Sequence, residues 1–357
     1  MPVRYPRLVL HREKIAENAA RIAERCASAG ISLTAVTKGV CAHEAVVRAM
    51  VEGGAAELAD SRIDNLAFLR RMNTGLPLLL LRIPMLSEIP EVIQNADGTL
   101  VSMAYTISAV ERECHAAGTT HEVLLMVDLG DLREGIWMGR ADEAVSALKS
   151  CSRVRCRGIG VNFGCFGGTL PTPEKLEQLL AIGKELEKEL GYPMSVYSGG
   201  STSSLSLLEQ GKIPRGINNL RIGEAILIGA DITGSRDIPW LHRRTMLLEA
   251  EVVELLRKPS VPVGPFGMDA FGGRPVFEDR GERLRAILAV GRQDVRIEGL
   301  VPESGGAVIL GGSSDHMIVD VEDVNPAPLL GGRMSFLPDY GAVLALSTSP
   351  YVALDVV

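Results

Sequence analysis

The order of apolar and polar positions divides the chain into two parts of different character. Up to about residue 230, short apolar runs alternate with amphipathic segments of helical period. The apolar runs predict strands at 31–38, 56–61, 76–83, 98–103, 121–129, 154–163, 195–200 and 218–227. The amphipathic segments predict a first helix with Ile15, Ala19, Ile22 and Cys26 on one face, followed by helices at 42–53, 62–73, 87–95, 106–117, 140–150, 173–190 and 203–211.

Eight strands joined by helices predict a (β/α)8 barrel. A doubly wound open sheet is the alternative, but no GxGxxG sequence follows the first predicted strand. Polar residues at the carboxyl ends of the predicted strands favour the barrel, because a barrel gathers these ends around one mouth. These residues are Lys38, Asp60, Ser61, Arg82, Ser102, Asp128, Asn162, Ser198 and Arg221.

After about residue 243, strand-like runs follow one another without long helical segments between them, and Gly and Pro separate them. The runs are 247–256, 284–291, 307–311, 316–321, 333–338, 341–348 and 351–356. This pattern predicts a C-terminal all-β domain. We therefore expect a barrel domain at 12–240 and a β domain at 241–357, and the strand at 5–11 could join the β domain.

Composition narrows the class of protein. The 357 residues, 46% of them hydrophobic, have room for two domains with a sizeable core. A net charge of −7 with dispersed acidic residues disfavours nucleic acid as a partner. No apolar run approaches the roughly 20 residues that cross a bilayer, and the start lacks a signal-peptide core. The six cysteines form no CxxC pair or zinc spacing, as expected for a cytoplasmic protein with reduced thiols and no metal site.

Lys38 is the first candidate for chemistry. It follows the apolar run 31–37 and precedes Gly39, so a buried strand would deliver one amine to a loop. An ammonium is costly to bury, and a lysine in such a place often forms Schiff bases. The alternative is a solvated lysine at a strand end.

Two later segments are candidates for an anion site. The run SGGSTSS (198–204) joins a strand to a helix, and its glycines, hydroxyls and helix N-terminus suit a phosphate. The second, NNLRIGE, contains Arg221 and Gly223. The two segments follow the seventh and eighth predicted strands, whose loops commonly bind phosphate together in barrels. The alternatives are a Ser/Thr N-cap in the first segment and an ion pair of Arg221 with Glu224 or Asp231 in the second.

A Schiff-base lysine together with a phosphate site predicts pyridoxal 5′-phosphate as the cofactor. Lys38 would carry the cofactor covalently, and Ser201, Thr202 and Gly223 would hold its phosphate. The alternative is a Schiff-base aldolase that binds a sugar phosphate directly, which leaves the β domain without a role.

These segments resemble motifs of the alanine racemase family, whose members bind pyridoxal phosphate in a (β/α)8 barrel followed by a β domain. AVTK places Lys38 where the family has its Schiff-base lysine. DLGDLREG is similar to the family's D-x-G-x-x-R-x-G, so Arg133 matches its active-site arginine. GVNF places Asn162 where the family has a histidine beside the pyridine ring. RIG is similar to the family's R-x-G, so Arg221 matches the arginine that faces the pyridine nitrogen. The pair Ser201-Thr202 stands where the family has an Asn-Ser pair that binds phosphate.

Within the family, the sequence is most similar to the alanine/ornithine racemase branch, in the segments LLLLRIPMLSE, MVDLGDLREGI, SGGSTSSL and NNLRIGEAILIG. In the β domain, SSDHMIVDV resembles the family's S-M-D-x-x-x-V-D-V. One departure concerns the second catalytic base, which in the family is a tyrosine of a G-Y-x-D motif contributed by the partner subunit. This chain has GRQD there, so Arg292, a poor base, occupies the tyrosine position.

The resemblance implies a homodimeric amino-acid racemase, acting most readily on ornithine or lysine. His316 is the expected replacement base because histidine titrates near neutrality, and Asp315 or Asp294 would pair with the substrate's terminal ammonium. The alternatives are an alanine or serine racemase, a non-catalytic carrier of pyridoxal phosphate, and an aldolase of the D-threonine type. The aldolase would need a metal, for which Asp315 and His316 form the one plausible pair.

Overall fold

Strand pairing decides between a barrel and an open sheet. In the computed structural model, which describes residues 4–137 and 141–357, β1 (Arg7–Leu10) precedes a closed ring of eight parallel strands. The strands of the ring are, in order, β2 (Ser32–Val36), β3 (Glu57–Asp60), β4 (Leu78–Leu80), β5 (Gly98–Val101), β6 (His121–Asp128), β8 (Val154–Val161), β9 (Val196–Ser198) and β10 (Asn219–Ile222). β10 pairs with β2 and closes the ring. The short β7 (Ile136–Trp137) lies outside the ring and pairs with β6. The predicted barrel is confirmed, and the open sheet is wrong.

Helices connect these strands along the chain. They are α1 (Arg12–Ser28), α2 (Glu44–Glu52), α3 (Ile63–Met72), α4 (Ile89–Asn95), α5 (Ala104–Ala117), α6 (Asp142–Lys149), α7 (Pro173–Leu190), α8 (Leu205–Glu209) and α9 (Glu224–Ile228). Short 3₁₀ turns cover Lys38–Val40, Leu86–Glu88, Thr202–Ser204 and Ile297–Gly299. Apolar side chains from neighbouring strands form a core cluster in the barrel, with the members Val36, Ala59, Leu79, Leu100, Leu124 and Met126.

The eighth predicted strand, 218–227, is too long. β10 ends at Ile222, and α9 begins at Glu224 with Gly223 as its N-cap. Residues 225–228 are all buried, so their apolar run gives no period that distinguishes a strand from a buried helix.

The chain divides into two compact units, Arg12–Arg243 and a second one formed by the residues up to His11 with Arg244–Val357. The first unit also holds a small hairpin of β11 (Ala230–Asp231) and β12 (Arg236–Asp237). The second contains β13 (Met246–Pro259), β14 (Glu282–Leu288), β15 (Leu300–Pro302), β16 (Val308–Gly312), β17 (Met317–Asp320), β18 (Arg333–Pro338) and β19 (Ala353–Val356). Its sheet is antiparallel except that β1, antiparallel to β13, runs parallel to β19.

The predicted C-terminal β domain is confirmed, but the predicted strand at 341–348 is wrong. This segment is helix α10 (Tyr340–Thr348). Asp339 is its N-cap and accepts a hydrogen bond from the Ala342 N–H at 2.8 Å, which secures the first turn. The N-cap aspartate was the sequence signal for a helix at this point.

Candidate active site

Lys38 lies immediately beyond the carboxyl end of β2, where it opens a 3₁₀ turn and is half-buried. The preceding residue fixes this turn, since the Thr37 hydroxyl donates to the Asp60 carboxylate at 2.6 Å. Burial is the main cause that lowers the pKa of the Lys38 ammonium, and Arg133 lowers it further, while Asp60 opposes the shift. A lowered pKa raises the fraction of neutral amine, which is the nucleophilic form.

Arg221 lies on β10 and is only 3% exposed. Its guanidinium donates to the Val161 carbonyl at 2.8 Å, to the Asn162 side-chain oxygen at 2.7 Å and to the Ser198 hydroxyl. Burial lowers the pKa of Arg221 to about 10. The ion pair with Glu224 or Asp231 that the sequence left open is wrong, because neutral acceptors hold this guanidinium.

Asn162 connects Arg221 to the loop after β6. Its amide nitrogen donates to Glu134 at 2.6 Å, and Glu134 forms an ion pair with the adjacent Arg133. Two arginines and a carboxylate therefore meet around one amide at the end of β8. The structure thus brings together four residues that the sequence singled out, since Lys38 and Arg133 also influence each other electrostatically.

Two aspartates shape the loop that carries Arg133. Asp128, at the end of β6, accepts hydrogen bonds from the Gly130 N–H at 2.8 Å and the Leu132 N–H at 3.2 Å. Asp131 is buried and joins this loop to the one after β8, where it accepts the backbone N–H groups of Cys165 and Phe166, each at 3.1 Å. These bonds hold the loops after β6 and β8 side by side.

The predicted phosphate loops also meet. The Arg221 N–H donates to the Gly200 carbonyl at 3.0 Å, and the Thr202 hydroxyl accepts the Ala225 N–H at 3.2 Å. Ser201 occupies the N-cap position of the Thr202–Ser204 turn, but its side chain makes no cap hydrogen bond there. The buried Ser203 hydroxyl has no hydrogen-bond partner among the described residues.

Gly223 is required by a close approach within the barrel. A Cβ at this position would lie 2.9 Å from the Val36 carbonyl oxygen, at the end of the strand that leads to Lys38. A side chain would therefore push the α9 segment away from β2. The glycine therefore keeps the loop after β10 close to the strand that leads to Lys38.

The candidate residues of the β domain are held differently. Arg292, at the tyrosine position of the motif, pairs with Glu298 at 2.7 Å, and its guanidinium lies 5.3 Å from the centre of the Phe271 ring. Asp315 and His316 are exposed, and Asp315 accepts a hydrogen bond from Gln293 at 2.6 Å.

Asp294, by contrast, is buried in the β domain. Its carboxylate accepts the Ser349 hydroxyl at 2.9 Å and the Gly291 N–H at 3.3 Å. These bonds give Asp294 a structural role at the loop that carries Arg292.

Sequence reasoning missed three polar residues of the barrel. Glu134 bridges Arg133 and Asn162, and its only sequence signal was its place inside the DLREG run. Cys165 is exposed, yet desolvation raises the pKa of its thiol, against a smaller lowering by the nearby charges of Lys38, Arg133 and Arg221. Its signal was its place just past the predicted strand end at Asn162. Glu57, at the start of β3, gave no signal in the sequence.

The described residues, 4–137 and 141–357, contain no group of three or more His, Cys, Asp or Glu side chains arranged to hold a metal ion. Their helices include none that is both long and apolar enough to span a bilayer.

The sequence matches the model of the alanine racemase N-terminal domain over residues 10–231. The chain therefore belongs to the alanine racemase family. Among characterised relatives, a lysine racemase of Thermotoga maritima is 41% identical over 348 residues, which cover 98% of this chain and 97% of the relative. An ornithine racemase of Acetoanaerobium sticklandii is 38% identical over 349 residues, which cover 98% of each chain.

Solved structures show the same fold at low identity. The alanine racemase of E. faecalis superposes with a TM-score of 0.72 at 19% identity, covering 99% of this chain and 98% of the other. A D-threonine aldolase from Filomicrobium marinum reaches a TM-score of 0.75 at 18% identity, covering 97% of this chain and 89% of the other. The architecture thus serves more than one reaction, and the residues of the site must distinguish between them.

Proposed function

We propose that this chain is a pyridoxal-phosphate-dependent amino-acid racemase whose preferred substrates are ornithine and lysine. The observation that carries the proposal is the half-buried Lys38, with its lowered pKa, at the barrel mouth beside Arg133. Near full-length identity of 38–41% to two amino-acid racemases supports the reaction class.

The residues at the mouth fit the cofactor. A buried Ser203 hydroxyl without a partner among the described residues lies in the turn where the phosphate is expected. Ser201, Thr202 and Gly223 surround the same place, and the Thr202 hydroxyl already links the two loops. A phosphate would supply the acceptors that these donors need.

The chemistry of the cofactor, when it is bound, is to spread the negative charge left at the substrate α-carbon after proton removal. The Lys38 amine Nζ would hold the cofactor and then accept or return the α-proton on one face. Arg221 would face the cofactor's ring nitrogen. Even with a pKa near 10 its guanidinium stays protonated at neutral pH and does not hand its proton to that nitrogen. Arg133, oriented by Glu134, would bind the substrate carboxylate.

The substrate proposal is tested by chiral chromatography. Purified enzyme supplied with pyridoxal phosphate is incubated with single enantiomers of ornithine, lysine, alanine, serine and threonine. We expect ornithine and lysine to racemise most efficiently. Turnover of alanine or serine with none of ornithine or lysine would overturn the substrate, and cleavage of threonine to glycine and an aldehyde would overturn the reaction class. No turnover at all with tightly bound cofactor would favour a carrier.

The second face needs its own proton carrier. His316 is exposed in the β domain and is proposed for this role, with Asp315 pairing with the terminal ammonium of the substrate. His316→Ala should abolish racemisation yet leave exchange of the α-proton with deuterated solvent for one enantiomer, because Lys38 still serves that face. Equal loss of exchange for both enantiomers would remove His316 from this role.

A homodimer is proposed because each site would take its second proton carrier from the partner subunit. The long β13–β14 connection exposes large apolar side chains, among them Val263 at 93%, Met268 at 77% and Val276 at 95%. Such an apolar surface is typical of a subunit interface. Mixing Lys38→Ala with His316→Ala subunits should restore part of the activity, since some hybrid sites are intact. An active monomer in sedimentation experiments would contradict the proposal.

A further inference from the structure

A line of hydrogen bonds leads from Arg221 down through the barrel interior to its opposite end. The Arg221 guanidinium donates to the Ser198 hydroxyl, and that hydroxyl donates to the Asn219 side-chain oxygen at 2.5 Å. The Asn219 amide nitrogen donates to the Thr34 hydroxyl at 2.8 Å. The line ends when the Thr34 hydroxyl donates to the Glu57 carboxylate at 2.8 Å.

Every bond in this line points the same way. A guanidinium can only donate, so Ser198 must offer Arg221 a lone pair and send its own proton elsewhere. The Asn219 side-chain oxygen accepts the hydrogen bond from the Ser198 hydroxyl, and this orientation of the amide points its nitrogen toward Thr34. An ionised Glu57 can only accept, so it fixes the direction of all the bonds above it.

Arg157 holds Glu57 in place. It donates to the second carboxylate oxygen at 2.6 Å, and both side chains are 11% exposed. Glu57 begins β3, and β2 lies beside it with Thr34 in register. The negative charge of Glu57 also raises the pKa of Arg221, opposing the effect of burial.

We propose that Glu57 is a positioning residue for Arg221, acting through Thr34, Asn219 and Ser198. Its carboxylate orients the line of donors so that the Arg221 guanidinium has one orientation at the mouth. This role rests on the proposed function in so far as Arg221 meets the cofactor there. Gly160 supports the arrangement, because a Cβ at that position would lie 3.2 Å from the guanidinium.

The other role open to Glu57 is to close the amino end of the barrel with Arg157. In that case the hydrogen bond between Thr34 and Glu57 would have no effect on the orientation of the Arg221 guanidinium. Thr34→Val separates the two roles, since it replaces the hydroxyl by a methyl group of similar size and leaves the Glu57–Arg157 pair in place. Thr34→Ser restores the hydroxyl. Thr99→Val is the matched control, because Thr99 is also a fully buried barrel threonine, and the one side-chain contact of its hydroxyl among the described residues is a 3.5 Å contact with a neighbouring carbonyl.

The first measurement needs no cofactor. With isotope-labelled arginine in the apoprotein, nuclear magnetic resonance follows the side-chain N–H signals of Arg221, assigned by loss in Arg221→Lys. We expect Thr34→Val to shift these signals. It should also speed the exchange of the Arg221 side-chain hydrogens with solvent by about tenfold or more, because the loss of one hydrogen bond lowers their protection. Thr99→Val and Thr34→Ser should match the parent protein. Unchanged Arg221 signals in a folded Thr34→Val protein would overturn the proposal.

The second measurement uses the holoenzyme. Thr34→Val should lower kcat by about tenfold with KM nearly unchanged, and should move the pH midpoint of the visible absorbance of the bound cofactor. Glu57→Gln should do the same or more wherever it folds. An equal loss in Thr99→Val would also count against the proposal. If the chain binds no cofactor, the proposed function fails, whereas the Arg221 signals still decide whether Glu57 orients this guanidinium.

Discussion

Arg221 of the barrel matches an arginine of the family pattern, whereas Arg292 of the β domain occupies the tyrosine position, and the two regions hold these arginines in different ways. Arg221 is 3% exposed and donates to three neutral acceptors. The side chain of Arg292 is 29% exposed and pairs with Glu298, whose side chain is 57% exposed. The barrel buries Arg221 among its hydrogen-bond acceptors, whereas the β domain leaves the pair of Arg292 and Glu298 partly exposed.

This difference indicates where the geometry of the site is set. A buried guanidinium without its acceptors would cost several kcal/mol, so the barrel fold itself enforces the position of Arg221. A surface ion pair contributes at most about 1 kcal/mol, so Arg292 can change without unfolding the chain. We infer that the barrel fixes the groups that are proposed to meet the cofactor, while the β domain is free to vary the groups at its surface.

The largest expected effect lies at the barrel mouth. Lys38→Ala should abolish covalent attachment of pyridoxal phosphate and all racemisation, because it removes the amine that is proposed to form the Schiff base. The measurement is borohydride reduction of the holoenzyme followed by peptide mapping. Lys175→Ala is the control, since Lys175 lies 5.7 Å from the Phe163 ring near the same loops. Label on Lys175, or labelled protein after Lys38→Ala, would contradict the assignment.

The next largest effect tests the comparison directly. Arg221→Lys should reduce kcat/KM by about a hundredfold or more, because an ammonium cannot make the three forked bonds and each charged bond is worth about 1.5–3 kcal/mol. Arg292→Lys should stay within about threefold, because the pair with Glu298 is exposed to water. Steady-state kinetics on the two variants decides. A comparable loss in Arg292→Lys would break the distinction between the two regions.

Two histidines repeat the comparison for stability. His121 of the barrel is 4% exposed, and burial lowers its pKa from 6.5 to about 4, whereas His316 is exposed. The unfolded chain therefore binds the His121 proton at a higher pH than the folded chain does. Stability is unaffected well above pH 6.5 and falls as the pH drops from 6.5 toward 4.

His121→Gln should remove this contribution, which amounts to about 3 kcal/mol of the acid-induced loss. Denaturant unfolding at neutral pH and near pH 4 gives the free energies of unfolding at both ends of the window. His316→Gln is the control and should keep the parent's loss. The same acid sensitivity in both variants would show that burial of His121 is not its source.

The smallest effect concerns the predicted phosphate loops. Thr202→Ala should weaken cofactor affinity by about 1 kcal/mol, roughly fivefold, the value of one modest hydrogen bond. Fluorescence titration of the apoprotein with pyridoxal phosphate measures the affinity. Thr99→Ala removes a buried hydroxyl from another barrel strand and should leave the affinity unchanged. Equal affinities in both variants would place the phosphate elsewhere.

Much of the fold was predictable because its signals are local. Alternation of apolar runs with helical periods located each of the ring strands, and α7 has the predicted bounds, Pro173–Leu190. Two segments predicted to be strands are helices, α9 and α10, because their apolar runs carry no distinguishing period. Residues with a chemical signature, such as Lys38 after a strand and Arg221 before a glycine, could be picked out in the same way.

The amino-acid sequence by itself therefore determined the order of the elements, the two-part organisation and the polar groups at the strand ends. Only the tertiary structure decided how those groups are oriented. Arg221 lies in register with Thr34, and Asn219 with Ser198, through the pairing of β10 with β2 and β9. The partners of the resulting line of hydrogen bonds come from distant parts of the chain. Hydrogen bonds of this kind depend on register and burial, which closure of the barrel creates and no local stretch of sequence encodes.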